Sequence, residues 1–308
     1  MNKIIKVRNL LHSDERNIFN LLKKAFRNLD DRALDDIHKI IKSDDFVPEA
    51  SFVALENNDI VGFVRTKRLR NTGRYEIWDL AVLKDYWEVA SILLENVLSY
   101  MSRVRAYLIR AHTLPIDPYV STYIKYGFKP VRRILRIDWN LENKLPELQI
   151  NNTVSIKEAS EYSSETIAKL FVESIKPYWN WWIEDYGGDR ELIKIVGDWF
   201  QYGIWLVAEI DDKPIGITGV IPSEKDPLHG IFQGVMVHPE YRMMRVGSTL
   251  MNKILKTIIG LGFKTLSVYT VAFLDRLAPG AILYLKSGGK IIREYIHLEK
   301  RIYHDILT

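Results

Sequence analysis

Apolar and polar positions in the chain switch between two periods, and the switches mark out elements. In the second half, apolar alternation at period two predicts strands near Val154–Lys157, Trp205–Glu209, Ile215–Ile221, Ile231–Val237, Thr265–Val271 and Lys290–Lys300. Apolar residues spaced three and four apart predict helices near Ser163–Ile175, Arg190–Phe200, Val246–Ile259 and Pro279–Ser287. The order is strand, two helices, three strands, helix, strand, helix, strand.

The first half repeats this plan. Phe52–Val64 (FVALENNDIVGFV) matches Leu206–Thr218 (LVAEIDDKPIGIT), each a strand, an acidic turn and a strand, which is a hairpin signal. Thr122–Ile137 (TYIKYGFKPVRRILRI) matches Leu283–Leu298 (LYLKSGGKIIREYIHL), each a helix end, a glycine stop and a long last strand. The offset is 154 residues from Gly62 to Gly216, 155 from Val82 to Val237 and 157 from Ser91 to Ser248, so the first copy is two residues shorter where a strand meets a helix. There it reads WEVA (Trp87–Ala90) against RMMRVG (Arg242–Gly247). The expected fold class is α/β (α+β) in two tandem domains, residues 1–142 and 153–308. Each is a mixed, mostly antiparallel central sheet flanked by helices. The polar stretch Glu142–Thr153 is the expected link.

Composition narrows the chemistry. The chain of 308 residues has no cysteine, which excludes disulfides, a thiolate metal site and a cysteine nucleophile. No apolar run approaches the ~18 residues of a membrane span. The first residues carry charges too early for a secretory signal, so a cytoplasmic protein that binds no membrane is expected. The net charge of +4 arises in the first half, in Arg65–Arg74 and Lys129–Arg136. These are read as charged edge strands, and nucleic acid is not expected as a partner. His229 and His238 lack paired carboxylates at ligand spacing, so no metal is expected.

The segment Val235–Leu255 (VMVHPEYRMMRVGSTLMNKIL) runs from a strand through an arginine-rich turn into a helix. A helix N-terminus offers unbonded N–H groups and partial positive charge, which suits phosphate oxygens. Residues Arg242–Ser248 are therefore either an anion site or a plain capped turn with solvated arginines.

This segment resembles the first motif of the Gcn5-related N-acetyltransferases, Arg/Gln-x-x-Gly-x-Gly/Ala after a Val-x-Pro strand end, with Arg242 first and Gly247 last. Arg245 stands where that motif has its middle glycine. Leu283–Gly289 (LYLKSGG) resembles the later Leu-Tyr-x-x-x-Gly-Phe motif without its final aromatic. The resemblance covers nearly all of residues 154–300. It implies a tandem member of that family that binds acetyl-coenzyme A and an amine acceptor, a small molecule or a peptide N-terminus. It implies cofactor contacts from Val235, Met236 and Val237 and from Arg242, Met243, Met244, Arg245, Val246, Gly247 and Ser248. Two strands are expected to splay beside Val235–Val237, and Tyr284 matches the tyrosine that protonates the leaving thiolate.

Gln233 falls where many relatives place a basic glutamate and is expected to orient water or the amine, with Glu184 as the candidate base. The aromatic segment Tyr178–Gly188, expected between the first two helices, offers Tyr178, Trp181, Trp182 and Asp185 for a cationic acceptor. Trp87 and Glu88 stand at the phosphate position of the first copy, which is expected not to bind the cofactor, although Tyr123 matches Tyr284. A monomer is expected, since two copies share one chain. The alternative function is a coenzyme-A-binding sensor or scaffold without turnover.

Overall fold

The computed structural model describes residues 4–25, 41–70, 73–116 and 118–302. The chain forms two compact units, one of Met1–Val131 with Tyr295–Thr308, the other of Arg132–Glu294. The cuts fall inside the last strand of each sequence copy, not in the link.

In the first unit the sheet runs β1 (Lys6–Asn9), β2 (Phe52–Glu56), β3 (Asp59–Arg68), β4 (Arg74–Val82), β5 (Leu108–Thr113) and then the C-terminal strand β12 (Lys290–Arg301). Among the described residues of this unit only β4 and β5 run parallel. Helix α1 (Glu15–Ala25) covers one face with Ile18, Leu21 and Leu22; α2 (Trp87–Arg103) and α3 (Tyr119–Lys125) pack on the other.

In the second unit the order is β6 (Lys129–Asn140), β11 (Thr265–Ala272), β10 (His229–Val237), β9 (Lys213–Pro222), β8 (Ile204–Ile210) and β7 (Ser155–Glu158), with β10 and β11 the parallel pair. Helices α4 (Ser164–Asp185) and α5 (Asp189–Trp199) form one apolar layer with Trp205, Val207 and Ile217. Helix α6 (Val246–Gly260) forms the other with Leu135, Ile137 and Trp139 of β6, and α7 (Pro279–Lys286) adds Ala281 and Tyr284.

The long last strands are exchanged. β6, which ends the first copy in sequence, pairs antiparallel with β11 from Asn140↔Thr265 to Arg133↔Ala272. β12, which ends the second copy, pairs antiparallel with β5 from Ile296↔Thr113 to Arg301↔Leu108. The strand order of each unit thus includes the last strand of the other sequence copy.

Local chemistry explains the elements. The predicted hairpins turn on Asn57–Asn58 and Asp211–Asp212, all four at positive φ, as two-residue type I′ turns need. α4 starts at Ser163, whose hydroxyl accepts the Thr166 N–H at 3.2 Å. It does not stop near Ile175 but continues to Asp185, with Pro177 inside and non-helical backbone at Trp179. Proline lacks the N–H and crowds the carbonyl four residues back, so the helix bends there. It ends where Gly188 N–H bonds the Ile183 carbonyl at 3.0 Å, with Gly187 at φ 93°. Tyr178–Asp185 is therefore the bent last part of this helix, not a loop between helices. The link is also more than a tether, since Leu145 and Leu148 pack on the core beneath α6. Among the described residues no helix is long and apolar enough to cross a membrane.

Candidate active site

The site of the second unit begins with a break in strand pairing. β10 pairs with β11 only over His229–Ile231, opposite Thr265–Ser267. The register of β10 against β9 shifts between Phe232 and Gly234, which is a β-bulge at Gln233. Gly234 sits at φ 98°, and a Cβ there would stand 3.0 Å from the Tyr284 hydroxyl, so only glycine suits the position. The bulge exchanges the faces of the strand. Phe232 packs in the α6 layer, whereas Met236 packs in the α4 layer.

Beyond the bulge the edge of β10 that faces away from β9 turns to the tyrosine helix. Val235 N–H donates to the Tyr284 hydroxyl at 2.9 Å. Amides of a strand alternate in direction, so the Val237 N–H lies on the same edge. The Gly234 carbonyl points the other way and accepts the Thr218 hydroxyl at 2.8 Å.

Tyr284 is held from three sides. It is 4% exposed and meets Trp139 and Phe232 edge-on, with centroids 5.8 and 5.5 Å away. Burial pushes its hydroxyl pKa up to about 12, against a smaller lowering by the Val235 N–H. The neutral phenol thus persists, and with its oxygen accepting from Val235 its proton remains to be donated.

The strand-to-helix turn follows. Arg242 is extended, Met243 has φ 63° and Arg245 φ 60°, and the helix begins at Val246. Left-handed backbone at two residues with side chains is uncommon, and it curls the turn so that successive amides face one way. The Arg245 carbonyl accepts the first helical bond, from Thr249 N–H at 3.0 Å. The amides of Val246, Gly247 and Ser248 therefore have no acceptor within the helix. No side chain caps this end, and no acidic residue lies in its first turn. A Cβ on Gly247 would stand 3.4 Å from Leu283, 3.6 Å from Val235 and 3.8 Å from Val237. The turn thus lies directly over the open strand edge and the tyrosine helix.

Arg242 turns inward. Its Nε donates to the Val237 carbonyl at 3.2 Å, its Nη2 to the Ser174 carbonyl at 2.8 Å, and its guanidinium lies 5.2 Å from the centre of the Tyr178 ring. It ties the end of β10 to α4, so its charge is engaged by carbonyls and a ring. Arg245, by contrast, is exposed beside the amides.

The expected acceptor side chains lie on the bent end of α4. Trp179 and Trp181 stack at 5.5 Å, and Arg132 lies 4.6 Å over Trp181. Trp182 leans on Tyr186 at 4.8 Å and on Trp199 at 6.0 Å, within the apolar layer. Tyr178 meets Phe273 at 6.2 Å. Two of these rings, Tyr178 and Trp181, are thus already partnered by arginines of the chain. Glu184 accepts from Asn180 Nδ2 at 2.8 Å, Asp185 is buried, and Gln233 Nε2 donates to the Ile231 carbonyl at 3.1 Å.

The first unit has the same frame with a different filling. β4 pairs with β5 from Arg74 to Ile77, and the β3–β4 register then shifts opposite Trp78. Here Val82 N–H, the counterpart of Val237, donates to the Tyr119 hydroxyl at 3.2 Å. Tyr119 is buried and meets Trp87 edge-on at 5.2 Å. Its counterpart in the second unit is Gly280. Helix α2 starts after Tyr86 at φ −133°, with no left-handed residue and with Glu88 in its first turn. Tyr119 was not singled out by sequence, although its alignment with Gly280 carried the signal. Asp79, counterpart of Gly234, is ion-paired with buried Arg65.

Comparison with known proteins agrees with this fold. The model of the acetyltransferase (GNAT) family matches residues 16–128 and again 171–278. No curated protein matches the sequence. Among solved structures, a GCN5-related N-acetyltransferase from Sphaerobacter thermophilus superposes with a TM-score of 0.76 at 12% identity, covering 98% of this chain and 97% of that one. A tandem GNAT protein from the clavulanic acid biosynthesis pathway gives 0.62 at 12% identity, over 98% of this chain and all (100%) of the other. A putative acetyltransferase from Pyrococcus horikoshii gives 0.58 at 12% identity, over 97% and 90%. With the family pattern present once in each half, the chain belongs to the acetyltransferase (GNAT) family as a tandem-domain member.

Proposed function

We propose that the second half is an N-acyltransferase site that moves an acetyl group from acetyl-coenzyme A to a primary amine within a ternary complex. The observation that carries this reading is the convergence of the open amides of Val246–Ser248, the free edge of β10 and the Tyr284 hydroxyl on one groove.

Acetyl-coenzyme A would supply an activated thioester, whose C–S bond breaks as the amine nitrogen forms a C–N bond. The turn amides and Arg245 bind the pyrophosphate. The amide of Val237 on the free edge faces the thioester oxygen, a fixed dipole aimed at developing charge. Tyr284 gives its proton to the departing sulfur, for which a phenol kept neutral by burial is suited. The amine enters as the free base, and once its nitrogen has attacked, the surplus N–H proton passes to a water oriented by Gln233 or to Glu184. The rings of Tyr178 and Trp181, already faced by Arg242 and Arg132, favour an acceptor that slides past an aromatic and basic wall. Trp182 and Asp185 support that wall from within. The first half takes no cofactor, and one chain works alone, as a cytoplasmic monomer.

Titration calorimetry with acetyl-coenzyme A tests the reading. One site per chain, weakened more than tenfold by Gly247→Trp, is expected, followed by release of free thiol with a panel of primary amines. Absence of binding would remove the proposal. A second reading, a coenzyme A sensor without turnover, draws on Gln233 standing at the bulge without a carboxylate. Binding without thiol release for any amine would favour it.

A further inference from the structure

We infer that Asn151, in the link between the two sequence copies, is the positioning residue that holds the proposed cofactor turn in its binding shape. This rests on the reading of the turn as a pyrophosphate site.

The turn needs outside support. Met243 and Arg245 both adopt left-handed backbone, which an L-residue with a side chain disfavours and which persists only where surrounding structure enforces it. The support comes from the link. The carbonyl of Met244, between the two strained residues, accepts Asn151 Nδ2 at 3.0 Å. The next carbonyl, of Arg245, accepts the Thr249 hydroxyl at 3.0 Å, and that hydroxyl oxygen in turn accepts Asn151 N–H at 3.0 Å. Asn151 thus holds the Met244 carbonyl directly and the Arg245 carbonyl through Thr249, and the amides of Val246–Ser248 are left to the other side.

The orientation of Asn151 is itself fixed. Its Oδ1 accepts the Thr153 N–H at 2.9 Å and the Thr153 hydroxyl at 2.8 Å. The oxygen is therefore committed, and the amide nitrogen must face Met244. An amide side chain accepts at one end and donates at the other in this way. Upstream, Leu145 and Leu148 anchor the same stretch on the core, and Pro146 stands 2.9 Å from where a Cβ of Gly288, just past the tyrosine helix, would lie. The strap thus runs from the end of α7 to the start of α6, the two helices that bound the groove.

The test uses the full chain and two probes, coenzyme A and S-acetylpantetheine, which lacks the pyrophosphate. Binding is read by calorimetry for the first and by ligand-observed NMR for the second. Asn151→Ala should weaken coenzyme A about fivefold, the loss of one hydrogen bond. Asn151→Asp, which sets a carboxylate against the Met244 carbonyl, should weaken it more than tenfold. Neither should change S-acetylpantetheine binding by more than about twofold. Met243→Gly, added to Asn151→Ala, should restore coenzyme A binding, because glycine holds a left-handed backbone unaided. If the wild type binds coenzyme A and both Asn151 variants bind it equally well, the strap is refuted and the functional reading stands. Equal loss of both probes, or no rescue by Met243→Gly, also refutes it. If the wild type binds no coenzyme A, the functional reading falls and the strap with it.

Discussion

The two units are built on one frame and differ in what fills it. Both have a parallel strand pair that parts after a bulge, a helix starting over the gap and a tyrosine helix beneath it. In the second unit the gap is lined by amides and by Gly280. In the first it is closed by Tyr119, whose hydroxyl takes the Val82 amide and whose ring leans on Trp87. A protein side chain there occupies the place and the hydrogen bond that a ligand is proposed to occupy in the second unit. The first unit's gap is filled with the frame intact, by one large residue on α3, and its helix start carries an acid.

The sharpest way to break the comparison is to transplant the plug. Gly280→Tyr puts the first unit's residue into the second. The atoms nearest a Cβ there are Thr270 Oγ1 and the Tyr284 hydroxyl, both at 3.7 Å, an ordinary contact distance. Coenzyme A affinity should fall at least ~100-fold, near the 2.7 kcal/mol expected when a groove is filled. Undiminished binding in calorimetry would show that the gap is not the ligand's path.

Next in size is Tyr284→Phe. Loss of the proton donor should lower kcat about 100-fold and leave the KM for acetyl-coenzyme A within about threefold. In the proposed role the hydroxyl works in its protonated form, and its pKa is raised to about 12 from the ordinary value of 10. The wild-type rate should therefore not fall through loss of this proton below about pH 11. The stability linked to the shift has the same sign. It is full below about pH 10 and is lost as pH climbs from there toward 12. A stopped assay across that range, beside urea melts, measures both.

Smaller in its bearing on the proposed site, and confined to the first unit, is an acid response. Glu76 is buried; burial alone would raise its pKa, but His112 at 2.6 Å and Lys67 at 2.9 Å outweigh it and hold the carboxyl at about 2. A folded pKa below the unfolded value stabilises above about pH 4.5 and ceases to as pH falls toward 2, worth roughly 3 kcal/mol in all. Ile231 and Tyr269 fill the corresponding places of Glu76 and His112 in the second unit. Glu76→Gln should flatten the fall in the urea midpoint between pH 5 and 3, with proteolysis showing the β4 region as the part that changes. An unchanged slope would assign the acid response elsewhere.

Much of this was legible in sequence because it is local. The second-half strands and most helices follow from period and caps, and the strand-turn-helix motif predicts an open helix end at Val246. Nonlocal choices were not legible. β6 and β12 are both long alternating strands at the end of a copy, and either fits either sheet, so pattern alone cannot tell that each closes the other's. The inward turn of Arg242 depends on carbonyls at Val237 and Ser174 that lie five and 68 residues away. Pro177 reads as a helix end, yet the helix bends and continues because Ile183 reaches the core beyond it. The proposed acceptor wall was least legible, since the arginines that occupy its rings come from Arg132, near the end of the first copy in sequence, and from the turn itself.

The smallest expected effect on binding, none at all, bears most directly on how the first copy differs. Tyr119→Ala removes the plug and frees the Val82 amide. The unit should lose about 3 kcal/mol of stability, as for other buried aromatic truncations. If space were the missing ingredient, a second coenzyme A site would open. But the helix start beside the gap has no left-handed residue to gather its amides, and Glu88 in its first turn repels an anion. The stoichiometry should therefore remain one per chain, while the melt shows the loss of the ring. A second site in the titration of Tyr119→Ala would mean that the first unit is a blocked enzyme half and not a converted one.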